Sequence, residues 1–344
     1  MKENKIYFSP DTSGGGKSQE ELEREKELEK IKSQVSLINP QEPNYEDVGL
    51  GVEITTQGFE GLNLDHHKEG DTQETPSAIE QALELDLEKI PQEVFEGKKK
   101  IATVRPDSDA FGAIAVLMLR QENERNKKEN KEENFIDTKL IKAIGLLDRF
   151  GPGVFKAKGK EMLGLNDEEF QRVQKLCRVA DYYTEVKNAP FEEKILFIKN
   201  LLQGKISSEE IEKLYEEDRN DLEKAKTESK IEIINEGQAV FIESSAKRSM
   251  EIGYEYAPVV IAYNPNFKWP DGHITPKYSI ARYDKYVKFD LKGLLEELRQ
   301  INPKWGGLEN IIGSPQGEDP EIKPEKMKEI IKKYIQIDKI KEKD

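Results

Sequence analysis

The sequence has little cysteine and no long apolar run. Its single cysteine, Cys177, excludes an intrachain disulfide framework and a zinc site built from cysteines. No apolar stretch approaches the roughly 20 residues that a membrane-spanning helix needs. The first residues also lack the apolar core of a signal peptide. These absences predict a cytoplasmic protein.

The charge of the chain is strongly acidic. Lys and Arg number 54 against 68 Asp and Glu, which gives a formal net charge of −14. A surface of this sign repels duplex DNA and anionic membranes, so we expect neither as a partner. It still allows a small phosphorylated substrate, provided that metal ions or a few Arg and Lys side chains hold it locally.

The order of strand and helix patterns predicts two lobes. The chain has 344 residues, enough for two cores. In its first half, apolar strand patterns alternate with helix patterns, which predicts an α/β fold with a mainly parallel sheet flanked by helices. A later group of strand patterns predicts a smaller α/β substrate-binding domain. The predicted parts are a flexible tail and charged helix at 1–42, a metal-binding domain at 43–186, a helical connector at 187–229, the substrate domain at 230–322 and a basic C-terminal helix and tail at 323–344.

The first chemical signal is LDHHK at 64–68. Asp65, His66 and His67 directly follow a short apolar strand pattern, where parallel sheets place their ligand sites. Two of the three histidines in the chain lie side by side here. A carboxylate beside imidazoles suits Mn²⁺ or a similar divalent ion. The alternative is a pair of surface histidines in a loop.

The second signal is TVRPDSDAFGAIAVLMLR at 103–120. A strand pattern leads into Asp107 and Asp109, which are close enough in an extended turn to reach two neighbouring metal ions. The N-terminus of the following helix favours bound anions. Gly112 lets that helix lie close to the sheet or lets a ligand approach. The alternative is that Asp109 only caps the helix.

Two further carboxylates are weaker candidates. Asp148 lies in LLDRFGPG at 146–153, near the end of an apolar helix. It either completes a metal shell or has no role beyond the helix end. Glu53 lies inside an apolar strand pattern and therefore needs a partner. A bridging metal ligand is the weakest of these hypotheses.

Together these motifs resemble those of the DHH phosphoesterase superfamily, which includes RecJ-type nucleases, oligoribonucleases, cyclic-dinucleotide phosphodiesterases and manganese pyrophosphatases. LDHHK looks like the motif that names the family, and PDSDAFGAIAVL looks like its Asp-x-Asp-x-x-Gly motif. KYSIARY at 277–283 and WGGLENIIGSPQG at 305–317 look like the DHH-associated domain, whose Gly-rich segment helps to bind substrate. The resemblance covers residues 45–320.

The chain departs from the family pattern in three places. The Asp-x-Asp motif follows the DHH motif instead of preceding it, although a permuted chain can still bring both to one sheet edge. Thr103 stands where the family has a histidine. Leu308 stands where the family has the histidine of Gly-Gly-His, so that contact is lost or is supplied by His273.

The resemblance implies hydrolysis of a small nucleotide-type phosphoester, with Mn²⁺ as the expected metal and Mg²⁺ as the alternative. A short oligonucleotide, a cyclic dinucleotide and adenosine bisphosphate all fit as substrates. By the same resemblance, catalysis uses His67 and Arg105, metal binding uses Asp65, His66, Asp107, Asp109 and Asp148, and substrate binding uses Arg282, Gly306, Gly307, Gly313 and Ser314. Asp65 has an alternative role in orienting an imidazole. For Arg282 the alternative is a salt bridge on a strand face, and for the Gly-rich segment it is a plain tight loop.

Two other classes of function stay open. One is a non-catalytic descendant that binds a nucleotide or another small anion at an incomplete metal site, as the loss of histidine at Thr103 suggests. The other is an interaction protein that uses the charged helices at 19–34 and 187–229 to bind a partner or a second copy, so a homodimer is left open.

Overall fold

The computed structural model describes residues 17–67, 72, 74–269, 272–283, 287–307 and 309–335. These residues form two sheets, each with its own apolar core. This is the two-lobed α/β fold class that the sequence predicts. The predicted tail from 1 to 16 and the end of the chain from 336 lie outside the described residues. Within the described ranges, the helices are all too short or too polar to span a membrane.

The first sheet, sheet A, is parallel throughout. Its strands are β1 (Val35–Leu37), β2 (Val48–Val52), β3 (Asn63–Leu64) and β4 (Lys100–Thr103), in the spatial order β1-β4-β2-β3. Because the strands are parallel, their carboxyl ends meet at one edge of the sheet. The chain continues from β2 into Glu53, from β3 into the DHH motif and from β4 into the Asp-x-Asp motif. This edge therefore brings the three acidic segments together, although the Asp-x-Asp motif follows the DHH motif along the chain.

The helices of the first lobe pack around sheet A. They are α1 (Gln19–Gln34), α2 (Ala78–Glu84), α3 (Gln92–Phe95), α4 (Ser108–Lys128), α5 (Thr138–Phe150), α6 (Gly159–Leu163), α7 (Asp167–Asp181) and α8 (Phe191–Leu202). The first half of α4, from Ser108 to Leu119, is buried all round, as its apolar sequence requires. Its charged second half continues the helix into solvent.

The first lobe extends beyond the predicted boundaries at both ends. α1, expected to be separate from the domain, buries Ile31 completely and pairs Glu27 with Lys199 of α8 at 2.6 Å. It leads directly into β1, an edge strand of sheet A, whereas the sequence predicts that residues 1–42 lie outside the metal-binding domain. α8, expected in the connector, buries Ile195 and Ile198 in the same core. The dense charge of α1 conceals its few buried positions in the sequence.

The second sheet, sheet B, is mostly antiparallel. Its strands are β5 (Lys230–Ile234), β6 (Ala239–Glu243), β7 (Val259–Lys268), β8 (Ile274–Arg282), β9 (Gly306–Gly307) and β10 (Ile311–Gly313), in the order β5-β6-β7-β8-β10-β9. Among these described strands, β6 and β7 pair in parallel and the other neighbours are antiparallel.

The two faces of sheet B have different neighbours. One face packs against α11 (Leu291–Ile301) and α12 (Pro324–Tyr334), in a core that includes Tyr278 and Ile280. α12 therefore belongs to this lobe and not to a separate C-terminal part. The other face packs Val260 and Ala281 against α9 (Ser208–Thr227) and α10 (Ser249–Gly253).

The lobes touch on the α10 side of sheet B. Lys156 Nζ of the first lobe donates to Tyr254 O at 3.1 Å. A Cβ added at Gly153 would lie 2.8 Å from the Tyr283 ring. Because side chains alternate along a strand, the odd-numbered residues of β8 share the face of Ala281, toward the first lobe. The even-numbered residues, including Arg282, share the α11 face.

Gly112 lies where α4 packs against α2. An added Cβ would lie 2.5 Å from Ile79 Cδ1 and 3.2 Å from Ile79 Cγ1. The close neighbour is therefore a helix, whereas the sequence predicts close approach of the sheet or of a ligand. Ile79 belongs to the first turn of α2, so Gly112 also sets where that turn lies.

We expect Gly112→Val to lower the free energy of unfolding by about 1–3 kcal/mol, because the added methyl groups have no room against Ile79. Urea unfolding measures the change. Lys127→Val, which puts the same side chain at an exposed position of the same helix, is the control for a valine in α4 that does not meet Ile79. Equal unfolding midpoints for the two variants would contradict a tight contact at Gly112.

Candidate metal centre

The end of β2 turns Glu53 into the interior of the first lobe. Its φ of +50° lies in the left-handed region, which is uncommon for residues other than glycine. The Glu53 amide still donates to Leu64 O of β3 at 2.8 Å, which anchors this turn. The side chain is 0% exposed, and neither carboxylate oxygen has a hydrogen bond among the described residues. A buried carboxylate without hydrogen bonds is costly, so Glu53 requires a cationic partner.

His66, after β3, meets Glu53 and Asp148 in this interior. Its Nε2 lies 2.7 Å from Asp148 Oδ2 and 3.2 Å from Glu53 Oε1. These atoms are close, but they do not have hydrogen-bond geometry. Burial lowers the pKa of His66, but the two carboxylates outweigh this effect and raise the pKa to about 10. The imidazole is therefore the cation that faces them when no metal is bound.

Asp109 lies beside the same side chains and is only 1% exposed. Its Oδ2 accepts from Ala78 N at 2.8 Å, and its Oδ1 accepts from Ile79 N at 3.1 Å. Asp109 therefore holds the first turn of α2 and does not cap its own helix. Burial raises the pKa of Asp109 well above its usual range, and the charges of Asp148 and Glu53 raise it further.

Asp107 is the residue that caps α4. Its Oδ1 accepts from Ala110 N at 2.9 Å. Burial raises the pKa of Asp107 to about 8, with further contributions from the Glu53 and Asp148 carboxylates. Asp107 is thus close enough to the other carboxylates to be affected by their charge. It is not one of the residues whose candidate ligand atoms converge at this edge of sheet A.

Two groups of converging ligand atoms lie at this edge of sheet A, and they share two residues. One ligand atom each from Glu53, His66, Asp109 and Asp148 lies within 4.8 Å of the others. The second group combines Glu53 and His66 with His67. Oxygen donors with imidazole suit Mn²⁺, and Mg²⁺ is the harder alternative. Burial and the neighbouring carboxylates together raise the pKa values of Asp107 and Asp109, and a divalent cation would offset the repulsion among these charges, so this site fits a metal.

His67 is held between Asp65 and Arg105 next to these groups. Asp65 Oδ1 accepts from the His67 backbone amide at 3.0 Å and lies 3.2 Å from Nδ1. Arg105 NH1 lies 2.7 Å from His67 Nε2. Because a guanidinium only donates, Nε2 accepts and the ring proton is on Nδ1, facing Asp65. Asp65 therefore orients the imidazole, and its predicted role as a metal ligand stays a prediction.

Thr103, where the sequence resemblance predicts a histidine, shapes the turn that presents Arg105. Its Oγ1 accepts from Arg105 N at 3.0 Å and donates to Arg105 O at 3.1 Å. It contributes no atom to the two groups, whereas Glu53 contributes to both.

Glu53 was the weakest of the sequence candidates and was not among the predicted ligands. Its one signal in the sequence is a carboxylate in an apolar strand pattern.

Arg282 makes structural contacts in the second lobe. Its guanidinium donates to loops on both sides of α11, at Val287 O, Phe289 O, Glu309 O and Asn310 Oδ1. It lies on the α11 face of sheet B, away from the contact with the first lobe. These contacts give Arg282 a role in tying loops together, and they do not support the predicted contact with substrate.

The Gly-rich segment forms the edge of sheet B. Gly306 and Gly307 are β9, and Gly313 ends β10. A Cβ added at Gly307 would lie 2.2 Å from Ile311 O, so strand pairing itself requires the glycine. Ser314 Oγ accepts from Tyr278 N at 3.0 Å. These contacts fit the tight-loop alternative, and substrate binding by the segment stays a prediction. Leu308 lies outside the described residues.

No protein-family model and no curated protein matches the chain. One similar solved structure is described as a DHH domain from a member of a family of ribosomal proteins. It has a TM-score of 0.37 and 14% sequence identity over 80% of this chain. The chain spans 63% of the length of that neighbour. A TM-score of this size does not establish a common fold.

Proposed function

We propose that the chain is a metal-dependent phosphoesterase that hydrolyses a small nucleotide-type substrate. The observation that supports it is the convergence of buried donor atoms from Glu53, His66, Asp109 and Asp148, with both Glu53 oxygens lacking a hydrogen bond. His66 is the cation that faces these carboxylates when no metal is bound, yet both Glu53 oxygens still lack a hydrogen bond beside other groups of the same charge. Metal binding explains why these energetically costly groups are present in the interior.

The four side chains would hold Mn²⁺ or Mg²⁺, with Asp107 next to them. Such ions, when bound, polarise phosphoryl oxygens and make a water molecule more acidic. The half-buried guanidinium of Arg105 binds a phosphoryl oxygen and neutralises charge on it, as its planar fork favours. Once Arg105 turns to the phosphate, Nε2 of His67 is free to take up a proton, and it then donates to the phosphate or the leaving oxygen while Asp65 orients the ring.

The net charge of the chain and its second lobe support the proposed substrate class. An acidic chain favours a small substrate over duplex DNA or an anionic membrane. Short oligonucleotides, cyclic dinucleotides and adenosine bisphosphate are the proposed candidates. The single buried cysteine suits a reducing compartment, which supports a cytoplasmic location.

The test is release of phosphate or nucleotide from a panel of these substrates, with Mn²⁺, with Mg²⁺ and with EDTA. We expect turnover that depends on Mn²⁺ and falls at least about 10²-fold in His66→Ala and in Asp107→Ala. Turnover at the wild-type rate in both variants would overturn the site. Nucleotide binding without any turnover would instead favour the non-catalytic alternative, which Thr103 keeps open.

A further inference from the structure

A cavity lies on the face of sheet B that is turned toward the first lobe. Its volume is about 300 Å³, and it is lined by several polar and cationic side chains. They include Lys247, Lys277, Ser245, Ser249, Asn264 and Ser279. We call it the lysine cavity. None of these residues belongs to the metal centre or to the segment predicted to bind substrate.

Strand register explains why these side chains meet. Lys277 of β8 pairs with Asn264 of β7, and Ser279 pairs with Ala262. All four lie on the face of sheet B that Ala281 shares. The chain between β6 and α10 crosses this face and adds the side chain of Lys247.

The charge in the lysine cavity is unbalanced. No carboxylate lines it in the part of the chain that the structure describes, although Asp and Glu number 68 in the whole chain. Lys277 makes no ion pair with another described residue. Its Nζ lies 4.1 Å from the centre of the Phe267 ring and 5.4 Å from that of Trp269. Burial lowers the pKa of Lys277, and no carboxylate offsets the effect. A half-buried ammonium of this kind lacks an anion.

Glu185 links the lysine cavity to the metal centre. Lys247 Nζ donates to Glu185 O at 3.2 Å. Burial raises the pKa of Glu185, the charges of Arg248 and Lys247 lower it, and the charge of Asp148 raises it.

Ser108 Oγ, next to the metal centre, donates to Asp181 Oδ1 at 2.5 Å, and the turn Tyr182–Val186, which contains Glu185, follows directly. This turn therefore runs from the edge of the metal centre to Lys247 at the cavity.

We infer that the lysine cavity binds a second phosphate group of the substrate, so that the substrate carries at least two phosphates. This inference rests on the proposed function, because the first phosphate is the one at the metal centre. Lys247 and Lys277 supply charge, and the serine and asparagine side chains supply donors to the phosphate oxygens. A nucleoside monophosphate would occupy only one of the two places and would bind less tightly.

Equilibrium binding tests the lysine cavity without catalysis. EDTA-treated protein is titrated with adenosine 3′,5′-bisphosphate by calorimetry. We expect binding by the wild type that weakens at least tenfold in Lys277→Met and in Lys247→Met, which keep most of the apolar stem. Lys292→Met, at an exposed position of α11 on the opposite face of sheet B, is the matched control and should bind like the wild type. Circular dichroism confirms that each variant is folded.

Three results would overturn the inference: no binding by the wild type, wild-type affinity in both cavity variants, or an equal loss in Lys292→Met. A second readout is kinetic, on the substrate that the panel identifies. There Lys277→Met should raise KM at least tenfold and leave kcat within about twofold. Absence of Mn²⁺-dependent turnover in the wild type would refute the proposed function and leave the binding result standing, so the two failures are distinguishable.

Discussion

Glu53→Gln is expected to abolish metal binding and to lower turnover by about 10³-fold or more, while the protein stays folded. Glu53 contributes an atom to both groups of converging ligand atoms. A neutral amide of the same shape is a far poorer ligand for a hard divalent cation. Because neither Glu53 oxygen has a hydrogen bond, the replacement leaves no backbone donor without its acceptor.

Thermal unfolding with EDTA and with Mn²⁺ measures this effect without any substrate. At Mn²⁺ concentrations about 100-fold above Kd, the wild type should gain about 2.7 kcal/mol. That gain corresponds to a rise in Tm of about 5–10 °C for a domain of this size. Glu53→Gln should show no rise, and in EDTA its stability should lie within about 1 kcal/mol of the wild type.

Glu84→Gln, at an exposed position of α2, makes the same chemical change outside the site. It should keep the full Mn²⁺-dependent rise in Tm. A rise of wild-type size in Glu53→Gln would contradict a metal-binding role for Glu53. A large loss of stability in EDTA would mean that the ion pair between Glu53 and His66 stabilises the fold even without a metal.

Asp109→Asn is expected to lose both metal binding and stability. Both carboxylate oxygens of Asp109 accept from backbone amides, at Ala78 and Ile79. An asparagine side chain has one oxygen, so its NH₂ group would face one of these N–H groups and leave it unsatisfied. The expected loss in the free energy of unfolding is about 1–3 kcal/mol, even without metal.

Urea unfolding in EDTA separates Asp109→Asn from Glu53→Gln, since only the first should lose stability there. Asp47→Asn, at an exposed position before β2, is the matched control and should change stability by less than about 0.5 kcal/mol. If Asp109→Asn were as stable as this control, its two hydrogen bonds to α2 would not be important. If it kept the Mn²⁺-dependent rise in Tm, Asp109 would not be a ligand.

The sequence predicts the meeting of the motifs well, because parallel strands put their carboxyl ends at one edge. LDHHK and the Asp107–Asp109 pair follow β3 and β4, so their permuted order does not separate them. The sequence gives little indication that Glu53 contributes a ligand atom. The left-handed backbone at Glu53, with φ +50°, turns the side chain inward, and such a conformation has no pattern in the sequence.

The second lobe shows a different limit of sequence reasoning. The strand that contains Lys277 and Arg282 was predicted correctly, but its sequence does not say which face lies toward the first lobe. The two residues are separated by an odd number of positions, so they lie on opposite faces. Packing of α11 and α12 on one face decides that Arg282 is turned away and that Lys277 faces the lysine cavity.

A crystal of the wild type grown with Mn²⁺, with anomalous scattering recorded at the manganese edge, tests the metal centre most directly. We expect at least one anomalous peak within about 2.0–2.6 Å of oxygen or nitrogen atoms of Glu53, His66, Asp109 and Asp148. A crystal grown with Mn²⁺ that shows no anomalous peak among these side chains, or shows manganese bound only elsewhere, would contradict the proposed metal centre.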